Sequence, residues 1–203
     1  MKPILFNTEM VRAILEGRKT VTRRVINMDM VNKLDYEYAD GHYTPAQNLC
    51  RYKVGDVLYV RETWIDWSCA ECDCECVGDN GYGHCDMPKY LYKASHEETD
   101  KGWKPSIHMP KAAARIFLKV SSVRVERLQD MTEEQASKEG AIDNRGFIHS
   151  PDNEYTDLHT AREDFIRIWD STIKPDQLKY YGWEANPYVW VIEFERVEGK
   201  CSD

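Results

Sequence analysis

The chain has 203 residues, of which 42% are apolar and 31% are charged, and this length suits one domain with a sizeable core. No apolar run approaches the roughly 18 residues of a membrane-spanning helix, so the sequence excludes a helical membrane protein. The net charge of −8 argues against a generally basic nucleic-acid coat protein. The opening residues lack the apolar stretch of a secretory signal, and we therefore expect a cytoplasmic protein.

In the first half of the chain, the patterns predict one helix and several strands. Apolar residues at helical spacing predict a helix over 8–16, with Thr8 as its N-cap and Gly17 as its stop. The β-branched, basic run at 19–26 is typical of a turn that leads into a strand. Further strands are predicted at about 57–63, at 89–94 and at 115–128, the last with a bend near 121–122.

In the second half, two capping boxes predict two short helices. Thr132 with Gln135 opens the first helix, and Thr160 with Glu163 opens the second. An apolar run at 188–197 predicts a final strand. Five or six strands with short helices between them indicate an α+β fold with a small barrel-like sheet. We expect a single domain over 1–203, decorated by insertions at about 28–50 and 66–88.

Basic residues are concentrated in two segments. Segment 1–27 carries six basic and two acidic residues, and segment 101–127 carries seven basic residues and one acidic residue. If these segments meet in space, they form one electropositive face that attracts phosphates. Alternatively, the same side chains are the solvated edges of strands, where lysine and arginine are common. The sequence leaves both interpretations open.

The run GRKTVTRR at 17–24 resembles the G-x-K-x-x-E-x-R signature of the ASCH domain family. The resemblance extends to GDVL at 55–58, to the TEEQASKEG segment at 132–140 and to VIEF at 191–194. The opening residues, SIHMP at 106–110 and RVERLQD at 124–130 look like the longer bacterial and prophage members. The resemblance, which leaves out 28–50 and the cysteine-rich segment, implies a PUA-like ASCH β-barrel. With the elements above, we expect about five or six strands, short flanking helices and a Cys-rich insertion.

One departure from the signature suggests an enzymatic branch of the family. This chain has Thr22 where the signature has a glutamate. A small bacterial branch, similar to N4-acetylcytidine amidohydrolase, also has a threonine three residues after the lysine. The resemblance to that branch implies a catalytic set of Lys19, Thr22 and Glu139.

The chemistry of these residue types fits amide hydrolysis. Such a reaction needs a nucleophile, a base and a donor for the developing oxyanion. A threonine hydroxyl beside a buried lysine supplies the first two, because burial and neighbouring cations lower the pKa of the ammonium group. Residues 19 and 22 converge only if the chain turns between them, since they face opposite sides of a regular strand. Otherwise, Lys19 is a solvated residue and Thr22 an ordinary strand residue.

A binding module is the broader interpretation, and at this point the preferred one. It would hold RNA or a nucleotide in a basic cleft, and its candidate residues are Arg18, Lys19, Arg23, Arg24, Lys111 and Arg115. The alternative is an amidohydrolase that deacylates an N4-acylated cytidine-type nucleoside and needs no cofactor for catalysis. A further alternative is a prophage accessory protein without a catalytic role.

Clustered cysteines in the 66–88 segment indicate a structural zinc site. In a cytosolic protein, a C-x2-C pair followed by further Cys or His residues more often binds metal than forms disulfides. The preferred ligands are Cys69, Cys72 and Cys85 with either Cys74 or Cys76, and His84 could substitute. The acidic residues between the cysteines count against the site, and free thiols are the alternative.

Overall fold

A computed structural model describes residues 1–27, 29–30, 49–66, 88–96, 102–145 and 158–198. These residues form two compact units. The first unit draws on Met1–Arg12, on Leu58–Phe117 and on the stretch from Val197 onward, whereas the second draws on Ala13–Val57 and Leu118–Arg196. Helices and strands are mixed along the chain, and this confirms the predicted α+β class.

The first unit is built around two short strand pairs. Strand β1 (Lys2–Leu5) runs parallel to β3 (Val57–Arg61), with Lys2 opposite Leu58. Strands β4 (Trp64–Asp66) and β5 (Tyr90–Tyr92) form an antiparallel pair. The apolar cluster of this unit consists of Trp64, Met109 and Ala113, with Tyr90, Tyr92 and Ala114 packed against it.

Helix α1 (Thr8–Leu15) begins in the first unit and ends in the second. Its N-cap is Asn7, because the Asn7 side chain accepts a hydrogen bond from the amide of Met10 at 2.8 Å. The prediction that Thr8 caps the helix was wrong by one residue, since both the side chain and the carbonyl of Asn7 accept from amides of the first turn. Gly17 follows the helix with a φ of 77°, which confirms it as the stop.

Three strands of the second unit lie in the order β6–β7–β2. They are β2 (Val21–Val25), β6 (Phe117–Arg127) and β7 (Tyr188–Val197). Strand β2 runs antiparallel to β7, with Val21 opposite Glu193 and Val25 opposite Val189. Strand β6 continues as one element through the predicted bend at 121–122, where the buried positions shift by one residue, from Leu118 and Val120 to Val123.

Three further helices complete the described part of the second unit: α2 (Glu133–Lys138), α3 (Ala161–Thr172) and α4 (Leu178–Tyr181). Both predicted capping boxes are present, at Thr132 and at Thr160. The apolar core packs α2 and α3 against β2 and β7, and its members include Val21, Ala136, Phe165, Trp169 and Val191. Within the described ranges, no helix is both long and apolar enough to cross a bilayer.

The strand count differs from the prediction, since the described residues contain seven strands instead of five or six. Strand β1 and the β4 segment are too short to produce a clear alternating pattern. In neither unit do the described strands close on themselves as a barrel. The predicted insertions at about 28–50 and 66–88 lie largely outside the described residues.

Candidate active site

Lys19 lies in the turn between α1 and β2. Its backbone amide donates to the carbonyl of Ala13 at 3.0 Å, and the amide of Thr20 donates to the carbonyl of Lys138 at 2.9 Å. The turn is thus held to the last residues of α1 on one side and to the end of α2 on the other. Because Lys19 precedes β2, the alternation of side chains along that strand does not determine the direction of its side chain.

The ammonium group of Lys19 is completely buried, with a side-chain exposure of 0%. It donates to the carbonyls of Val21 and Glu139, both at 2.8 Å, and to Oε2 of Glu139 at 2.7 Å. These three acceptors match the three donors of an ammonium group. The carbonyl oxygen of Val21 belongs to the peptide unit that joins Val21 to Thr22, so the ammonium lies beside the backbone of Thr22.

Burial lowers the pKa of Lys19 below its ordinary value of 10.5. The carboxylate of Glu139 opposes this effect, whereas the positive charges of Arg24 and Arg23 add to it. Lys19 therefore becomes a neutral amine at a lower pH than an exposed lysine does. A buried lysine of this kind is suited to act as a base.

Glu139 is the C-cap residue of α2, and its side chain is only 5% exposed. The next residue, Gly140, has a φ of 94°. A Cβ atom at Gly140 would lie 2.8 Å from Cβ of Ala13 and 3.3 Å from Cβ of Lys19. The absence of a side chain at this position therefore lets the end of α2 approach Lys19 closely enough for the two side chains to meet.

Arg23 holds the other oxygen of the Glu139 carboxylate. The Arg23 side chain is fully buried, and Nη1 donates to Oε1 of Glu139 at 3.0 Å. Nη2 donates to Oε1 of Gln135 at 3.0 Å and to Oε2 of Glu126 at 3.4 Å. Among the described residues, Nε of Arg23 meets no acceptor. We refer to Lys19, Arg23 and Glu139 as the Lys19 cluster.

Thr22 and Arg24 alternate with Arg23 along β2, and the positive charge of Arg24 acts on both Lys19 and Glu139. Thr22 is 3% exposed and lies opposite Ile192 in the β2–β7 register. Burial lowers the pKa of the half-buried Arg24, while Tyr52 and Glu139 oppose that effect. The structure therefore places Lys19, Arg23 and Glu139 in direct contact, with Thr22 adjacent along the chain.

The remaining predicted phosphate ligands are more exposed. In the second unit, Arg18 pairs with Glu16 at 2.6 Å and donates to the carbonyl of Gly140 at 2.8 Å. In the first unit, Lys111 is exposed at the start of a short 3-10 turn. Arg115, also in the first unit, pairs with Glu62, which the sequence did not predict as a partner.

Arg115 and the buried Glu62 form a second ion pair, entirely within the first unit, in which Arg115 is partly exposed. Nε and Nη2 of Arg115 each donate to one oxygen of Glu62 at 2.9 Å, and Nη1 donates to Oγ of Ser95 at 2.8 Å. The guanidinium also lies 4.0 Å from the centre of the Tyr92 ring. Burial raises the pKa of Tyr92 to about 12. We refer to Arg115, Glu62 and Tyr92 as the Arg115 clamp.

Glu62, Glu126 and Gln135 are the polar partners that sequence reasoning missed. Glu62 is 1% exposed and directly follows the alternating strand β3. A charged residue beside so apolar a run is the signal that could have identified it. Gln135 was recognised only as half of a capping box, although its side chain also accepts from Arg23.

The predicted zinc ligands Cys69, Cys72, Cys74, Cys76 and Cys85 lie outside the described residues, as does the alternative His84. In the described part of the chain, no three His, Cys, Asp or Glu side chains are grouped as metal ligands. The zinc site stays a prediction.

No family model and no curated protein sequence matches this chain. Among solved structures, it is similar to protein EF3133 from Enterococcus faecalis V583, which carries the family model DUF984. The two share 13% identity over 97% of this chain and 76% of that chain, with a TM-score of 0.40. A likeness of this size carries no argument about fold or function, and the ASCH resemblance stays a prediction.

Proposed function

We propose that this protein is an amidohydrolase that removes the acyl group from an N4-acylated cytidine-type nucleoside. The proposal depends above all on one observation: a buried lysine ammonium bound to the carboxylate of Glu139 at 2.7 Å. That ammonium also binds the carbonyl of the peptide unit that leads into Thr22. A base with a lowered pKa therefore lies next to the backbone of the intended nucleophile.

In the proposed reaction, neutral Lys19 takes the proton from the Thr22 hydroxyl as the oxygen attacks the acyl carbon. The bond between that carbon and N4 then breaks, and Lys19 returns the proton to the leaving amine. Water cleaves the resulting threonine ester, which releases the carboxylic acid and restores the hydroxyl. Glu139 holds the Lys19 amine in place and serves as the alternative route for the proton.

We also infer a PUA-like ASCH barrel as the fold behind this site. The support is that two separate segments of the resemblance, 17–24 and 132–140, meet in the second unit. Thr20 and Lys138 join these segments through a backbone hydrogen bond of 2.9 Å, and the Lys19–Glu139 ion pair lies beside it.

The second candidate is a module that binds RNA or a nucleotide in a basic cleft. The exposed positions of Arg18 and Lys111 favour it. Geometry favours the enzyme more strongly, because the deepest of the candidate cations already face internal partners. Lys19 and Arg23 bind Glu139, and Arg115 binds Glu62, so a phosphate would have to compete with buried carboxylates.

The test is conversion of N4-acetylcytidine to cytidine and acetate by the purified protein. We expect Thr22→Ala and Lys19→Ala to lose turnover by orders of magnitude while substrate binding persists. Thr20→Ala is the matched control, because Thr20 lies in the same turn with an exposed side chain. Absence of conversion by folded wild-type protein would reject this substrate.

RNA titration at two salt concentrations addresses the second candidate. Polynucleotide binding weakens steeply with salt, whereas binding of a neutral nucleoside hardly changes. In a binding module, Thr22→Ala should cost only about 1 kcal/mol, the net value of one hydrogen bond. A protein that responds in neither assay would have the accessory role.

We further propose a structural zinc ion at the cysteines of the 66–88 segment. Total-metal analysis of the purified chain should then give one zinc per molecule, and paired substitution of Cys69 and Cys72 by serine should remove it. Metal-free protein with an unchanged stability would reject the site.

A further inference from the structure

Glu139 is shared by two buried cations. Its Oε2 binds Lys19 at 2.7 Å and its Oε1 binds Arg23 at 3.0 Å, and both cationic side chains have an exposure of 0%. One carboxylate cannot neutralise two positive charges in a buried site, where unpaired charge is costly. Within the Lys19 cluster two cations therefore share one carboxylate as long as Lys19 is protonated, and the further carboxylate of Glu126 contacts Arg23 at 3.4 Å.

Only one of the two cations can give up its proton. A guanidinium remains charged at every pH at which a protein is folded, whereas a buried ammonium becomes neutral readily. Loss of the Lys19 proton leaves Glu139 and Arg23 as a one-to-one ion pair. Among these three side chains the charges then balance in the form that would act as a base, while Glu126 adds a more distant negative charge at 3.4 Å from Arg23.

We propose that Arg23 is a positioning residue that fixes the Glu139 carboxylate and supplies its countercharge when Lys19 has lost its proton. The inference deepens the proposed function, because it assigns a role in the same site to a residue outside the Lys19, Thr22 and Glu139 set. Arg23 lies one position before Arg24, the arginine of the GRKTVTRR run that matches the signature.

The contacts of Arg23 hold both ends of α2. Nη1 reaches Glu139 at the C-terminal end, and Nη2 reaches Gln135, whose side chain also accepts from the amide of Thr132 at 3.2 Å. A guanidinium can make both contacts at once because its donors form a rigid, planar fork. A single ammonium group at this position could not reproduce that geometry.

The charged groups around the cluster come from four elements. Strand β2 contributes Arg23 and Arg24, and strand β6 contributes Glu126 and Arg124. Arg124 pairs with Glu126 and with Glu193 of β7, so this outer part of the network has one cation and two carboxylates, and one of these, Glu126, also pairs with Arg23. Helix α2 contributes Glu139. Two more groups lie at the edge of the cluster. Tyr52 interacts electrostatically with Arg24, and Arg18 donates a hydrogen bond to the carbonyl of Gly140.

Removal of the Arg23 charge should raise the pKa of Lys19 for two reasons. A cation that disfavours a second positive charge disappears, and Glu139 is left with Lys19 as its closest partner. Both effects favour the protonated ammonium. If Lys19 is the base, less of the enzyme is then in its active form near neutral pH.

The experiment measures the ionisation of Lys19 directly. The 13Cε signal of Lys19, assigned by its loss in Lys19→Met, is titrated in wild-type protein, Arg23→Gln and Arg124→Gln. Arg124→Gln is the matched control, because it removes an arginine that contacts Glu126 but makes no described contact with Glu139. We expect the Lys19 midpoint to rise in Arg23→Gln and to stay at its wild-type value in Arg124→Gln.

The same proteins are assayed on N4-acetylcytidine across the pH range. Arg23→Gln should lower kcat at pH 7 by about tenfold or more, with KM changed less than about threefold, and should regain activity at higher pH. Arg23→Lys should keep the Lys19 midpoint near that of the wild type, because it keeps the charge. It should recover only part of kcat, because it loses the contact with either Glu139 or Gln135.

The outcomes distinguish the role proposed for Arg23 from the proposed amidohydrolase activity. An unchanged Lys19 midpoint in folded Arg23→Gln, or an equal shift in Arg124→Gln, overturns the inference. A raised midpoint in a protein whose wild type does not convert the nucleoside supports the role of Arg23 and rejects the proposed function. If Arg23→Gln does not fold, the charge-conserving pair Arg23→Gln with Glu126→Gln replaces it, with a smaller expected rise, because loss of the Glu126 carboxylate offsets part of the effect.

Discussion

The Lys19 cluster and the Arg115 clamp both bury a glutamate against a cation, and they differ in how the charges are matched. In the clamp, one guanidinium takes both oxygens of Glu62, each at 2.9 Å. In the cluster, the two oxygens of Glu139 are divided between Lys19 and Arg23. The clamp is thus a neutral pair, whereas in the cluster two cations share one carboxylate and one of these cations can lose a proton.

This difference separates a structural ion pair from a site suited to proton transfer. A bidentate arginine–carboxylate pair is strong and directional, and its guanidinium does not titrate. The clamp therefore stabilises the first unit without offering a group for acid–base chemistry. The cluster holds a buried amine whose pKa is lowered by burial and by neighbouring cations. A strongly perturbed pKa at a titratable group is typical of functional sites.

The largest expected effects come from removing each glutamate charge in turn. Glu139→Gln should lower kcat on N4-acetylcytidine by about 100-fold or more, because Lys19 and Arg23 lose their shared partner. Glu62→Gln should instead lower the free energy of unfolding by about 3 kcal/mol, because it breaks a buried ion pair. Urea unfolding and steady-state kinetics on both variants measure the two effects. Equal losses of turnover in the two variants would contradict the comparison.

The pH dependence of stability should also differ between the two regions. The pKa of Lys19 is lower in the folded state than in the unfolded chain, so the unfolded state binds more protons between the two values. The Lys19 contribution to the free energy of unfolding should therefore rise with pH in that interval and level off above 10.5. The measurement is the difference between wild type and Lys19→Met in urea unfolding from pH 7 to pH 10.

A difference that falls as the pH rises would mean that Glu139 outweighs the burial of Lys19. Such a result would remove the reason to treat Lys19 as a base.

Tyr92 in the clamp should act in the opposite direction. Its pKa is about 12 in the folded protein against 10.0 for the free group, so the folded state binds the extra proton between these values. Its contribution to stability is complete below pH 10 and is lost as the pH rises toward 12. Tyr92→Phe should flatten this loss, because phenylalanine does not titrate. Ultraviolet difference titration at the tyrosinate band follows the ionisation directly.

The smallest expected effect on stability concerns α1, the helix that precedes Lys19 in the sequence. Asn7→Ala removes the cap of this helix and should cost about 1 kcal/mol of stability. Thr8→Ala, the matched control, should cost less, because the cap hydrogen bond belongs to Asn7. Thermal unfolding compares the two. A larger loss in Thr8→Ala would restore Thr8 as the cap and overturn the assignment.

Local patterns predicted the elements that carry the Lys19 cluster. The capping boxes at Thr132 and Thr160, the stop at Gly17 and the strand after it all appear where the sequence places them. These features depend on hydrogen bonds within a few residues, so the sequence is sufficient to predict them. The short strand β1 and the four-residue helix α4 were not predicted, because segments of this length have no clear periodicity.

Only part of the candidate site could be predicted from the sequence. Lys19, Thr22 and Glu139 came from a resemblance in sequence, and their catalytic roles stay predictions. Glu126, Gln135 and Glu62 were missed as partners, because a charged side chain close to an apolar run looks the same whether it is solvated or paired. The choice between these states depends on what lies across from the side chain, and no local pattern records that.

The sequence by itself determined which residues start and stop the helices, which segments alternate as strands and where the basic residues are concentrated. Only the tertiary structure decided that Lys19 is buried against Glu139, a residue 120 positions away, and that Arg115 meets Glu62 across 53 positions. Caps and alternation are set by neighbours along the chain. Burial and charge pairing depend on segments that become neighbours only when the core packs, and Gly140 permits that approach because it has no side chain.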